Sequence, residues 1–417
     1  MKKNLLFVLF GASILLTMNA CKSDEVNELS LDKELKLSTL TVEQQKARIE
    51  QNGLKLITAM EAMQETKAMA TLMNMVEVNG SEEYAAPMQK FVLDIRNKRA
   101  NAVRNFDQQM RTKYVGSDVW GVYDYNFETK EMEKTSDLSN KMILNFPASD
   151  ASTTNNAKIT INYTPSTVEL PGSDGEMYPS AISLVMTVDN KEVMTANFSG
   201  KYDANNLPKD VQYTMTMDTY KWNIHLTQNK STVTELVELK KGTEVLVKIE
   251  TKVDGNFDPE QLNTGTLETT FKAAVVNMQM MDVAILGGTN DLKGFISELN
   301  TNEKNSYDDM GELNPEYHEN VVEIFNKYLS CKAYFVSDNT KFADVEMYLA
   351  KIEYTYEIFN WETYEFEVVT ETKYLPRPRL VLADGSKVAV DEYFAEGFEQ
   401  LIDNLDQMAN ETYSKLN

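Results

Sequence analysis

Hydrophobic spacing predicts helices in residues 40–115. After Thr41, which can cap a helix, apolar residues recur at helical spacing to about Met75, interrupted by Lys67. This pattern predicts one long amphipathic helix. A second helical stretch begins near Glu83, after a glycine-containing break. We expect the two helices to pack as an antiparallel helical hairpin over residues 40–115.

The period changes to two in the next part of the chain, residues 116–256. Apolar residues there alternate with largely polar ones, and turn-forming residues separate the runs. The clearest runs are Met142-Leu144-Phe146, Ile159-Ile161-Tyr163, Ile182-Leu184-Met186 and Trp222-Ile224-Leu226. This alternation predicts an antiparallel β meander with one face in water.

The last part, residues 257–417, is mixed. We predict helices over 290–299 and 315–329, strands between 343 and 390, and a closing helix from about Asp391. The predicted fold class is therefore α+β: an N-terminal helical hairpin packed on a large curved antiparallel β-sheet, followed by a second α+β module with a C-terminal helix.

A nine-residue motif occurs twice, at 125–133 and 359–367, with five identical residues. Both copies place two large side chains around a four-residue loop, Phe127 with Met132 and Trp361 with Phe366, and we expect each pair to meet across a hairpin. Both copies should be hairpin tips. The repetition fits two related β modules, and it equally fits recurrence of a favourable hairpin motif.

Aromatic residues cluster around the second copy. Tyr354 and Tyr356, with Ile358, alternate along one predicted strand, and Tyr364, Phe366 and Val368 alternate along the next. We predict that all six share one face, with glutamates opposite. The favoured interpretation is a core covered by the helix from Asp391. If the face is instead exposed, Tyr354, Tyr356 and Trp361 are candidates for contact with a flat ligand such as a sugar.

The beginning of the chain has the layout of a secretory signal peptide, residues 1–20. Lys2 and Lys3 precede an apolar run over 5–16, and a polar segment follows soon after. A membrane-spanning helix needs ~20 apolar residues, so this run is too short for a stable span. We expect the signal to be removed from the mature protein.

The run ends in Thr17-Met18-Asn19-Ala20-Cys21, which resembles a lipobox, the site at which a lipoprotein is cleaved before a lipid-modified cysteine. This resemblance implies that Cys21 carries the anchor, followed by a flexible tether over 21–39. The segment Lys22-Ser23-Asp24-Glu25, with Glu28, resembles the acidic export signal of Bacteroidota surface lipoproteins. The resemblance implies attachment to outer-membrane lipid, at the cell surface, with the periplasmic face as the alternative.

The net charge of the chain narrows the classes of partner that it can bind. The chain carries 41 basic and 64 acidic side chains, and loss of the signal peptide's two lysines brings the mature chain to −25. Such a field repels phosphate backbones, so we expect no nucleic-acid partner. Cys331 is the only thiol besides Cys21, so no intramolecular disulfide is expected, and its apolar neighbours indicate an inert, buried sulfur.

Catalytic and metal-binding motifs are missing. The two histidines, His225 and His318, lie in no recognisable hydrolase or zinc motif. We expect no catalytic residue, no metal and no cofactor. Acidic residues between Asp308 and Glu319 admit a calcium site, but acids before a helix are also expected from its dipole. A carboxylate-dependent glycan hydrolase stays open, because sequence does not show which acids lie close together.

Methionine is abundant in the first helical region, and Met60 and Met63 are the candidates for lining an adaptable apolar cavity between the helices and the curved sheet. The function that this favours is a non-catalytic binding or accessory lipoprotein of the cell envelope, for a hydrophobic ligand. The alternatives are a surface glycan-binding protein, through the aromatic residues, and the carboxylate-dependent glycan hydrolase.

Overall fold

The computed structural model describes residues 29–78, 120–169, 177–203, 208–258, 261, 265–304, 316–360 and 364–404. Cys21, Trp361, the second predicted N-terminal helix and most of the acidic stretch 308–319 lie outside these residues. The chain divides into two compact units. The first is Met1–Asn27 with Leu54–Lys252, and the second is Glu28–Gly53 with Val253–Asn417.

The α+β fold class is confirmed: the described residues contain seventeen strands of mostly antiparallel sheet, and two N-terminal helices precede all of these strands except the short first one. The N-terminal helices are α1 (Val42–Gln64) and α2 (Lys67–Val78). Thr41 caps α1 as predicted, since its hydroxyl accepts from the Gln44 amide at 3.3 Å while the Gln44 side chain accepts from the Thr41 amide at 3.0 Å.

The prediction of one unbroken helix to Met75 is wrong, because the chain breaks between α1 and α2. The Thr66 hydroxyl donates to the Met63 carbonyl at 2.9 Å and accepts from the Met69 amide at 3.3 Å. The same side chain therefore helps to end one helix and caps the next. Propensity patterns do not reveal such a break, because the apolar spacing continues across it.

The first unit is built on an antiparallel meander, as the two-residue alternation predicted. Its strands are β2 (Gly121–Asn126), β3 (Glu131–Asp137), β4 (Lys141–Phe146), β5 (Ala157–Glu169), β6 (Met177–Val188), β7 (Lys191–Tyr202), β8 (Pro208–Met217), β9 (Tyr220–Gln228), β10 (Thr232–Lys241) and β11 (Glu244–Gly255). Strands β4 to β10 each pair with the next, and β2 pairs with β3 and also, in parallel, with β4.

The register sorts the side chains into two faces, because residues directly opposite each other in an antiparallel pair point the same way. On the face that we call the inner face, Ile159 lies opposite Met186, and Tyr213 lies opposite Ile224. The outer face carries mainly Thr, Ser, Asn and charged residues, such as Thr214 opposite Asn223. The meander therefore has one apolar and one polar face, as expected.

The second unit contains the strands β1 (Lys36–Leu37), β12 (Phe271–Met280), β13 (Val283–Thr289), β14 (Ser330–Phe335), β15 (Thr340–Asn360), β16 (Glu365–Leu382) and β17 (Lys387–Ala389). Strands β12 to β17 pair antiparallel in order, and β1 pairs in parallel with β15. Its helices are α3 (Leu267–Thr270), α4 (Leu292–Lys304), α5 (Tyr317–Tyr328) and α6 (Val390–Tyr393).

The core of the second unit includes residues from both ends of its sequence. Phe335, Phe342 and Tyr393 are among its buried members, and Val42 and Ile49 of α1 pack against them. A second cluster buries Leu31, so part of the predicted tether over 21–39 packs on this unit. The closing helix predicted from Asp391 is only the single turn α6, and a separate helical turn begins after the buried Phe398.

Both copies of the repeated motif are hairpin tips, as predicted. Lys130 and Tyr364, at equivalent positions, both have positive φ, 59° and 58°. The predicted partners differ, however: Met132 lies opposite Tyr125, and Phe366 lies opposite Phe359. In the first copy Phe127 cannot join the ladder, because the chain has already begun to turn there.

Candidate functional site

Helices cover one end of the inner face of the first unit. The Tyr220 hydroxyl donates to the Ala59 carbonyl of α1 at 2.8 Å, and the Asn74 amide of α2 donates to the Pro147 carbonyl at 2.9 Å. Beneath these contacts the strand ends are fully buried. Phe146, Ala157, Ile159, Met186, Val188, Met217, Tyr220 and Leu239 are each at most 2% exposed. This covered end is an ordinary hydrophobic core.

The apolar side chains continue along the strands beyond that core, where they are only partly covered. We call this second part the open face. It consists of Met142, Leu144, Ile161, Tyr163, Ile182, Leu184, Phe198, Val211, Tyr213, Met215, Trp222, Ile224, Leu226 and Val237. From β4 to β10 it spans six strand spacings, ~29 Å along the sheet. Partly covered apolar surface of this extent is typical of a place where another apolar group binds.

Glu235 is the one carboxylate that the register places on the inner face of β4–β10. It lies on β10 opposite Leu226 of β9, and its neighbours along the same face of its strand are Val233 and Val237. Among the described residues, none forms a hydrogen bond or ion pair with its carboxylate. Burial raises the pKa of Glu235 to about 7. It lies four residues, ~13 Å, along β10 from the buried Leu239.

Sequence reasoning missed Glu235. Its signal was present, since Val233, Glu235, Val237 and Leu239 alternate, and the acid stands at an apolar position of that alternation. The register also bears on the hydrolase alternative. Such a site needs a second carboxylate within ~5 to 10 Å, and neither β9 nor β8 supplies one, because the inner-face residues across from Glu235 on these strands are Leu226 and Val211.

The two candidate methionines lie on α1, and they differ in burial. Met63 is 8% exposed and belongs to the packed core, one turn after the Ala59 carbonyl that accepts from Tyr220. Met60 is partly covered. Both therefore lie on the helix that covers the closed end of the inner face.

Tyr354 and Tyr356 lie in a long two-stranded ribbon of the second unit. We define the aromatic ribbon as residues 349–360 of β15 with 365–376 of β16, together with Tyr364 at its tip; among the described residues no third strand pairs with it. Tyr354 is 39% exposed and Tyr356 is 45% exposed. The favoured interpretation of these aromatics as a covered core is therefore wrong, because the helix expected to cover them is a single turn packed elsewhere.

The prediction of one shared aromatic face is also wrong. Ile358 lies opposite Glu367, and Phe359 lies opposite Phe366. Even-numbered residues of the two strands consequently point in opposite directions. Tyr354 and Tyr356 share their face with Glu371, while Tyr364, Phe366 and Val368, 66 to 75% exposed, occupy the other. The ribbon thus exposes apolar side chains on both faces.

Both histidines have structural partners. His225 lies on the outer face, where its Nε2 is 3.2 Å from an Asp210 carboxylate oxygen. Burial raises the pKa of Asp210, but hydrogen bonds from Lys201 and His225 outweigh it, and the pKa is lowered. His318 packs against the ring of Tyr317. In neither of these two contacts does a serine, threonine or cysteine nucleophile face the imidazole.

Cys331 is partly covered on β14. Burial, with a smaller contribution from Asp344, raises the pKa of its thiol to about 12, so it is protonated at neutral pH. Within the described ranges no three His, Cys, Asp or Glu side chains are grouped so as to hold a metal ion. The described helices include none that combines the length and the apolar character needed to cross a bilayer.

A cavity of about 460 Å³ lies in the second unit between α3 and α4, lined by Glu268, Ser297, Asn300, Thr301 and Glu303. The Asn300 amide donates to Glu268 at 2.7 Å. This lining is polar, unlike the apolar cavity between helices and sheet that the sequence suggested. The open face of the first unit and the aromatic ribbon of the second are therefore the candidate binding surfaces.

These features define a class of α+β protein with two extended apolar surfaces and no recognisable catalytic centre in the described residues. Comparison with protein-family models, curated proteins and solved structures gave no match. The function is therefore inferred from the chain's own geometry.

Proposed function

We propose that this protein is a lipid-anchored lipoprotein of the outer membrane, displayed at the cell surface, that binds a hydrophobic ligand without catalysis. The N-terminal lipobox resemblance and Cys21 support the anchor, and the acidic residues after it support surface display. The observation that carries the binding role is the open face, whose apolar side chains continue ~29 Å across the sheet beyond the end covered by α1 and α2.

The open face suits an elongated apolar ligand. Its members alternate aliphatic, aromatic and methionine side chains, such as Leu184, Trp222 and Met215. Burial raises the pKa of Tyr213 within this face, so the surface is already partly shielded from water. Each methylene of a ligand that leaves water there contributes ~0.8 kcal/mol.

Binding of the fluorescent probe Nile red to the chain from residue 22 onward tests this role. Ile224→Asn places a polar amide on the open face, and we expect it to weaken Nile red binding at least fivefold. Thr214→Asn, on the outer face of the neighbouring strand, is the matched control and should leave the affinity unchanged. Equal affinities for the wild type and both variants, at unchanged thermal stability, would count against the open face as the site.

The aromatic ribbon favours a second candidate, binding of a surface glycan. Tyr354 and Tyr356 expose their rings on one face beside the Glu371 carboxylate, which can accept hydrogen bonds from sugar hydroxyls. Exposed aromatic rings stack on the flat faces of sugars. The acidic side chains favour a neutral glycan over an anionic one.

Native electrophoresis in gels containing starch, xylan or mannan tests the second candidate. A neutral polysaccharide that is bound should retard the wild-type chain, and Tyr354→Ala with Tyr356→Ala should abolish the retardation. Tyr374→Ala is the matched control, because Tyr374 is 52% exposed on the opposite face of the ribbon. Retardation that survives the double substitution would exclude the Tyr354 face.

A further inference from the structure

Glu235 lies on the inner face beside the open face, among Leu226, Val233 and Val237. The covered end of the inner face is closed by α1 and α2, so a ligand on the open face meets apolar side chains along its length and Glu235 at the β10 side. Carboxylates are seldom placed among apolar neighbours without a partner, since the charged form loses its hydration there. Among the described residues Glu235 has no such partner.

Among the described residues, no side chain on the strands beside β10 forms an ion pair with Glu235. Leu226 faces it from β9, and Gln228, two residues further on, is uncharged. On β11, Lys248 is held by Glu250 at 2.7 Å. The carboxylate therefore has unused capacity to accept hydrogen bonds, and in its ionised form to attract a cation.

We infer that the open face binds an amphiphile whose polar headgroup donates hydrogen bonds to Glu235, an alcohol or amine rather than a carboxylate or other anion. This inference rests on the proposed hydrophobic-ligand function and adds a headgroup preference to it. An ionised headgroup of the same sign would meet the Glu235 carboxylate in an apolar setting, where repulsion is poorly screened. A donor headgroup instead gives the carboxylate the partner it lacks.

Displacement of Nile red from the chain starting at residue 22 tests the preference. At pH 8.5, above the pKa of Glu235, 1-decanol and decylamine should displace the dye at concentrations at least tenfold lower than decanoate. Glu235→Gln keeps the shape of the side chain and removes its charge. It should reduce that ratio to about threefold or less, chiefly because decanoate then displaces the dye at lower concentrations.

The matched control is Glu238→Gln, which removes one carboxylate from the outer face of the same strand. It alters the net charge equally and should leave the ratio as in the wild type. A general repulsion of decanoate by the acidic chain would affect both variants alike and would overturn the role of Glu235. The role of Glu235 would also be overturned if Glu235→Gln kept the preference of the wild type, or if all three compounds displaced the dye equally from the wild type.

The result also separates the inference from the proposed function. If Nile red does not bind, or if none of the three ten-carbon compounds displaces it, the hydrophobic-ligand function itself fails. If all three displace it equally in the wild type, the open face still binds apolar chains and only the headgroup preference fails. A tenfold ratio that falls in Glu235→Gln and persists in Glu238→Gln supports both.

Discussion

Replacing Glu235 by glutamine should change how stability depends on pH. In the folded chain burial raises the pKa of Glu235 from 4.5 to about 7. Between these values the unfolded chain has lost its proton while the folded chain keeps it, so the free energy of unfolding falls as pH rises. Above pH 7 both states are ionised and this contribution no longer changes. A shift of this size corresponds to ~3 kcal/mol.

Glutamine cannot ionise. The free energy of unfolding of Glu235→Gln should therefore equal that of the wild type near pH 4.5 and exceed it by ~3 kcal/mol at pH 8.5. Urea denaturation at several pH values measures the difference, and subtracting the two proteins cancels the other carboxylates. Glu238→Gln serves as the control, because it removes an outer-face carboxylate of the same strand. A wild-type protein as stable as Glu235→Gln at pH 8.5 would refute the claim that ionised Glu235 is poorly solvated.

Three further predictions concern other parts of the chain. Cys21→Ser should move the protein from the membrane to the soluble fraction or leave it as a longer precursor, while Cys331→Ser should stay membrane-bound; normal anchoring of Cys21→Ser would contradict lipidation. Arg48→Ala should lower the free energy of unfolding by ~2 to 3 kcal/mol, because it removes hydrogen bonds of 2.6 and 2.9 Å to the partly buried Asp282 carboxylate. Arg48→Lys should lower the free energy of unfolding by less, since lysine keeps the positive charge although it lacks the two guanidinium donors. Equal losses for Arg48→Ala and Arg48→Lys in urea denaturation would argue against a contribution from these hydrogen bonds. Cys331 should react with iodoacetamide at pH 8 ~1,000-fold more slowly than free cysteine, because its raised pKa leaves almost no thiolate, and a rate within tenfold of free cysteine would disprove that environment.

Local patterns predicted the parts of the fold that local chemistry determines. The two-residue alternation found the meander, Thr41 marked the start of α1, and the repeated motif gave two hairpin tips. Each depends on residues near one another in sequence, whose preferred conformation agrees with the final fold. The break at Thr66 was missed because a hydroxyl can cap a helix without disturbing the apolar spacing.

The candidate sites were harder to predict, because they depend on register. Alternation placed Tyr354 and Phe366 correctly on adjacent strands, but it assigned them to one covered face, whereas both are exposed and the pairing of Phe359 with Phe366 puts them on opposite faces. Glu235 became notable only when its partner across the sheet proved to be Leu226. Neither pairing can be read from one strand alone, since it depends on the length and conformation of the turn between two strands.

The short strand β1 fixes the point at which the N-terminal segment joins the second unit. Its two residues pair with β15, and Leu31 is buried just before it, so the chain joins the folded unit by about Leu29. If Cys21 carries the lipid as proposed, eight residue steps separate the bilayer from this point, a reach of at most ~28 Å. The anchor would then keep the attachment point of the second unit within this distance of the lipid headgroups. A flexible insert in residues 22–28 would increase the distance without altering either candidate binding surface.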